Sequence, residues 1–171
     1  ASALSLPILA SAAGNPVKVG DVLGRDLSVF GFGSLGHVGV LAGSNNVVQV
    51  MKATPYVNVV QYVSVAGFKV DTYWGSRARS VFTASTTTLT TLANQQRPHV
   101  QYDLYSSTPN PAVYSCLTLN SSGGCASYGW KKGSFRCDAF VKWLYSKTGN
   151  GSLGASTPKG TYNSTLLTIT R

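Results

Sequence analysis

The chain reads as an α+β protein, a small antiparallel sheet followed by helices, and three observations lead there. Between positions 20 and 73, short runs rich in Val and Tyr alternate with Gly, Asn or Pro, the pattern of strands joined by tight turns. Two later stretches carry apolar residues at helical spacing and stop at Pro98 and Gly149. The 171 residues hold no internal repeat and no linker long enough to divide them, so 1–171 is expected to fold as one domain.

The elements follow in order. Residues 1–14 are mildly apolar, lack a starting Met and a basic segment, and are too short to cross a bilayer. They are expected to follow a processing event and to be ordered. Strands are predicted over 21–23, 37–42, 47–51, 57–65 and 69–73, with Gly43, Ser44, Asn45 and Asn46 as a hairpin turn. Ser85 is placed to cap a helix over 87–96, with Leu89, Leu92 and Ala93 on one face and Pro98 as its stop. Residues 103–134, with Pro109 and Pro111, are expected to be loop. A second helix runs from 135 to about 147, with Ser134 as N-cap, a stripe of Phe140, Val141 and Leu144, and Gly149 as its end. The last twenty residues are rich in Gly, Ser and Thr, which predicts an irregular tail packed on the surface.

Composition narrows the class of function. Charged residues make up only 11%, and the balance is basic, 14 Lys and Arg against 5 acidic residues, for a net charge of +9. A basic surface attracts polyanions. The positive residues are scattered singly (Lys18, Arg25, Lys52, Lys69, Arg77, Arg79, Arg97), and Lys131-Lys132 is a doublet. Nucleic-acid binders cluster such residues along one element, so no nucleic-acid partner is expected. The expected partner is an anionic cell-wall polymer, reached by a soluble monomer with no stable membrane insertion.

Three cysteines supply the sharpest clue. Cys116 and Cys125 flank a short Ser/Gly-rich segment that a disulfide closes easily, which points to a secreted or periplasmic protein. Cys137 is then left unpaired. It falls in the first turn of the second predicted helix, where free N–H groups and the helix dipole favour a thiolate, so a lowered thiol pKa and a nucleophilic role are expected. Its own N–H would sit where an oxyanion forms. A nucleophilic thiol needs an imidazole. His37 lies between glycines at the start of an alternating strand, whereas His99 follows Pro98 at an exposed helix exit, so His37 is the candidate base.

An imidazole in such a site is oriented by a third group, which can be an amide. Gln49 lies on the strand after His37, and strand parity tests it. An even loop at 43–46 pairs residue 42 with 47 and turns Gln49 away from His37; an odd loop pairs 42 with 46 and sets Gln49 opposite Gly39, on the His37 side. The proposal needs the odd register. No zinc-ligand spacing, phosphate-binding glycine loop or nucleophile elbow is present, so no metal or cofactor is expected. Five acidic residues (Asp21, Asp26, Asp71, Asp103, Asp138) leave little material for paired carboxylates, and Asp138 is assigned to the helix dipole.

These pieces, in this order, resemble the circularly permuted NlpC/P60 papain-like superfamily, in its branch of YiiX/YaeF-type proteins and lecithin:retinol acyltransferase relatives. The matching segments are GDVL (20–23), GHVGVLAG (36–43), VVQV (47–50), QYDLY (101–105) and FRCDAFVKWLY (135–145), and they cover about residues 20–145. The resemblance implies a papain-like fold in which a helix bearing the cysteine packs on a sheet bearing the histidine. It implies that Cys137 is the nucleophile, His37 the base, Gln49 the orienting residue, and Tyr102 a tyrosine near the cysteine that helps bind the oxyanion. The family often has Ser after the cysteine and an acidic or His third residue, where this chain has Asp138 and Gln49. The expected activity is cleavage of amide bonds in peptidoglycan peptides, as in a bacteriolytic or wall-remodelling thiol protease. The alternatives are a lipid or protein acyl hydrolase or transferase using the same residues, and a non-catalytic envelope-binding module whose Tyr and Trp residues stack on sugars.

Overall fold

The computed structural model describes residues 13–27, 35–53 and 58–171. The expectations for the N-terminal segment up to residue 12, and for a strand start at Val57, lie outside the described residues. The elements are β1 (Val22–Arg25), β2 (His37–Gly43), β3 (Asn46–Val50), β4 (Val60–Val63), α1 (Val65–Phe68), β5 (Tyr73–Ala78), α2 (Thr86–Gln96), β6 (Val100–Tyr102), β7 (Val113–Leu119), β8 (Cys125–Lys131), β9 (Gly133–Phe135), α3 (Cys137–Lys147), α4 (Pro158–Tyr162) and β10 (Ile169–Thr170).

Six strands form one antiparallel sheet in the order β10-β5-β1-β2-β3-β4. Alternation along β2 and β3 sorts the side chains to two faces. Val38, Val40, Val48 and Val50 join Val22 in the main core, where α3 supplies Ala139, Phe140, Leu144 and Tyr145. Leu41 and Val47 point the other way, with Leu23, onto Phe68 of α1. The helix that carries Cys137 packs on β2 and β3. The broad expectation of an antiparallel sheet with a few helices therefore holds.

Sequence and structure part at four places. The second predicted helix starts two residues later, at Cys137, with Arg136 as its N-cap. Pairing explains the shift: Ser134 and Phe135 are drawn into β9 against β6, with Gln101 beside Ser134 and Tyr102 beside Phe135. The Ser134 N–H is also held by the Asn110 carbonyl at 2.7 Å. Val65, expected to end a strand, instead opens α1, which fills the gap expected at 66–68, because the Ser64 hydroxyl caps it by accepting from the Gly67 N–H. The fifth strand consequently begins at Tyr73.

The stretch 103–134 contains the β7–β8 hairpin, with Cys116 and Cys125 at disulfide distance and their Cα atoms 5.7 Å apart. The C-terminal twenty residues are also more ordered than expected. Tyr162 and Leu167 belong to the main core, and β10 pairs with β5 at the sheet edge. Polar composition hid this because two apolar anchors suffice to fix a short tail. Replacing Leu167 by Ala is expected to cost about 2–5 kcal/mol of stability. The same change at Leu119, which is 71% exposed, is expected to cost under about 0.5 kcal/mol. Urea denaturation of both variants measures the difference, and equal midpoints would return the tail to the surface.

Candidate functional site

The site is built around the first residues of β2. Gly36 adopts a φ of 71°, in the left-handed region, and a Cβ there would meet the Trp74 ring at 1.9 Å. Only glycine fits, and the turn it makes delivers His37 to the strand opposite Arg25 of β1. Gly39, two residues on, is also needed bare: a Cβ would come within 3.0 Å of Phe68 Cε2. The space it leaves is taken by the Phe68 ring, which stacks on the His37 imidazole with centroids 5.5 Å apart and planes 28° from parallel. The glycines that suggested an uncrowded, projecting ring thus serve a packed one. His37 is 1% exposed.

The imidazole Nε2 lies 2.8 Å from Gln49 Oε1. A carbonyl oxygen can only accept, so Nε2 carries the proton and Nδ1 keeps its lone pair. The register that allows this contact arises in an unexpected way. The turn is the even one, closed by Gly43 opposite Asn46, which alone would turn Gln49 to the wrong face. A β-bulge between Leu41 and Gly43 leaves Ala42 out of the pairing, and the register then runs Leu41 to Val47 and Gly39 to Gln49. One unpaired residue does what an odd loop was expected to do.

Cys137 is the first residue of α3 and 2% exposed. Its sulfur abuts β2 at Val38, the neighbour of His37, and the backbone N–H groups of Val38 and Asp138 both favour the thiolate. They are outweighed. Burial, and then the Asp138 carboxylate, push the thiol up to about 12, which corrects the expectation of a lowered pKa. The helix N-terminus cannot prevail because the sulfur lies in the apolar core with Val38, Val40 and Phe140, away from water. Burial likewise drives His37 down to about 3, with Gln49 opposing and the Arg25 cation assisting. At neutral pH the Cys137 thiol and the His37 imidazole each rest neutral.

Asp138 has a larger part than serving the dipole. It is fully buried and takes both Arg136 Nε at 2.6 Å and Arg136 Nη2 at 2.8 Å, while Lys142 Nζ stands 3.7 Å away. Arg136 Nη2 also donates to the Ser156 carbonyl at 2.8 Å and Lys142 to that of Ala155 at 2.6 Å. Strand, helix start and the segment before α4 are tied at one point.

Tyr102 reaches the site because β6 runs parallel to β9, which leads straight into α3. Burial and then the neighbouring Cys137 raise its phenol to about 12, so it stays a donor. Arg25 was missed in the sequence, where it is one of several scattered cations. Strand parity opposite His37 is the signal that could have found it. Its guanidinium is buried, paired with Asp71, 5.4 Å from the Phe68 centroid and close enough to Cys137 for a thiolate there to favour the Arg25 charge. His99 is elsewhere, stacked on Trp130 at 4.5 Å.

No family model, curated protein or solved structure matches the chain. The residues must speak for themselves. Among the described residues no cluster of His, Cys, Asp and Glu could hold a metal ion, and no helix is long and apolar enough to cross a membrane. A hollow of about 380 Å³ lies by Lys18, Arg79, Phe82 and Arg171, and none of Cys137, His37, Gln49 or Tyr102 lines it.

The two buried groups set a pH window. His37 falls from 6.5 to about 3 on folding, so the unfolded chain takes the proton first as pH drops, and stability declines from pH 6.5 towards 3. Cys137 rises from 9.0 to about 12, so the unfolded chain loses its proton first as pH climbs, and stability declines from pH 9 towards 12. Each of these two groups is expected to contribute about 1.4 kcal/mol per pH unit, and above pH 10 buried tyrosines such as Tyr73 and Tyr102 steepen the alkaline limb further. His37→Gln should flatten the acid limb and Cys137→Ala the alkaline one, read by thermal unfolding across pH; unchanged slopes would remove both groups from the account.

Proposed function

We propose that this chain is a secreted or periplasmic cysteine hydrolase, a single catalytic domain of the permuted NlpC/P60 papain-like kind, that cleaves amide bonds in peptidoglycan peptides. One observation carries the reading. An unpaired cysteine opens a helix and abuts a strand at the residue next to a histidine, whose far nitrogen is already held by an amide. Disulfide-distance cysteines fit an oxidising compartment. A net charge of +9 suits an anionic wall.

In this reading Nδ1 of His37 takes the Cys137 proton as the sulfur attacks the amide carbon. The C–S bond forms and the carbonyl electron pair moves to oxygen. The first-turn N–H of α3 and the Tyr102 hydroxyl donate to that oxyanion, and the Arg25 cation steadies the negative charge passing through the site. The C–N bond then breaks, His37 returns the proton to the leaving amine, and a thioester remains. Water attacks it with His37 again accepting a proton, the acid departs, and the thiol is restored. Because the pair rests neutral, His37 acts as a general base and not as half of a preformed ion pair. Gln49 is a positioning residue, holding the tautomer that leaves Nδ1 open.

Digestion of purified peptidoglycan tests this. Wild type is expected to release new muropeptides and Cys137→Ala to lose at least about a thousandfold in rate. Gln49→Ala is expected to cost about a hundredfold through lost alignment. Gln49→Glu should keep activity but move the acid limb of the pH profile upward, since a carboxylate stabilises the imidazolium. Full activity in Cys137→Ala would end the proposal.

A second reading, a non-catalytic envelope-binding module, is favoured by the burial of the sulfur. It predicts that intact protein resists alkylation at pH 7 with and without peptidoglycan. The hydrolase reading predicts an acyl-thioester on Cys137 by mass spectrometry after brief exposure to substrate, whose mass also separates a peptide from a lipid acyl group.

A further inference from the structure

The β7–β8 hairpin carries a row of aromatic rings that is anchored on the main core at Trp130 and leaves Tyr114 and Tyr128 exposed. Tyr114 and Trp130 are cross-strand partners, as are Cys116 and Tyr128, so Tyr114, Tyr128 and Trp130 share one face. The Tyr114 and Tyr128 rings lie 6.4 Å apart and 20° from parallel, Tyr114 meets Trp130 edge-on at 5.8 Å, and Trp130 rests on His99 at 4.5 Å and 13°. Tyr114 is 60% and Tyr128 63% exposed. Large exposed rings in a row are uncommon on a surface without a ligand.

Charge and anchoring narrow the ligand. From residue 104 to 135 there is no Asp or Glu, and the charged residues of that stretch are Lys131 and Lys132, both exposed at the foot of the hairpin. A flat aromatic strip suits the C–H faces of pyranose rings, with the Tyr hydroxyls and Trp N–H as polar handles. Lys132, just past the end of β8, and the net charge of +9 suit carboxylates, whereas alternation turns Lys131 to the opposite face of the hairpin. The Cys116–Cys125 link spans the two strands and stiffens the platform before anything binds, which lowers the ordering cost. The root of the hairpin is β9, whose last residue is two positions before Cys137.

We infer that the His99–Trp130–Tyr114–Tyr128 strip is a binding site for an anionic glycan chain, distinct from the Cys137 site and serving to hold the polymer while its peptides are presented. The choice of a wall glycan rests on the proposed function; the strip's preference for a carboxylate-bearing polysaccharide does not. The test is equilibrium binding of the full chain to peptide-free glycan strands, followed by Trp fluorescence. Wild type and Cys137→Ala are expected to bind alike, which keeps this result separate from catalysis. The Tyr114→Ala/Tyr128→Ala pair should weaken binding at least tenfold, while Leu119→Ala leaves it unchanged. Lys131→Gln/Lys132→Gln should weaken it several-fold and flatten its salt dependence. Carboxyl-reduced strands should bind wild type as weakly as native strands bind that lysine variant. Tight binding by the double tyrosine variant, equal binding of carboxyl-reduced strands, or preference for an acidic polypeptide such as polyglutamate over glycan would each overturn the inference.

Discussion

The first turn of α3 lying against β2 at Val38 is the contact on which the rest depends. It buries Cys137 with the valine face of the sheet, and it brings the cysteine to the residue beside His37. An apolar contact alone would let the helix slide. The Arg136–Asp138 fork and its links to the carbonyls of Ser156 and Leu104 prevent that, because a fully buried carboxylate can keep its charge only where its partners stay in place.

Burial is the main reason the sulfur is neutral, and that clamp adds to it. The same carboxylate that fixes the helix start stands next to the thiol and opposes a second negative charge. His37 is neutral for a related reason, under Phe68 and beside Arg25. Burial therefore holds apart two groups that in water would exchange a proton more readily. The hydrogen bond from Nε2 to Gln49 satisfies the buried ring and directs its other nitrogen.

Much of the site was legible residue by residue. Spare-cysteine arithmetic singled out Cys137, glycine flanks singled out His37, and parity reduced Gln49 to a question about one loop. What parity could not supply was the bulge at Ala42, since leaving a residue unpaired is settled by which faces can be buried across three strands at once. The start of α3 was misplaced because Ser134 is a good cap in isolation, and the cost of losing it is offset by a ladder with β6, thirty-odd residues away in the chain. Arg25 and the tyrosine strip were visible only as composition, one as a scattered cation and the other within a stretch read as loop.

By itself the sequence determined that an antiparallel sheet is joined by a few helices, which cysteine is left over from the disulfide pair, and the residue types available for chemistry. Those follow from local propensity and from counting, which need no knowledge of distant neighbours. Only the tertiary structure decided which face each strand turns inward, which cation stands by the histidine, and how far water is kept from the sulfur. Such properties arise when segments far apart in the chain exclude solvent together, and no single segment carries that information.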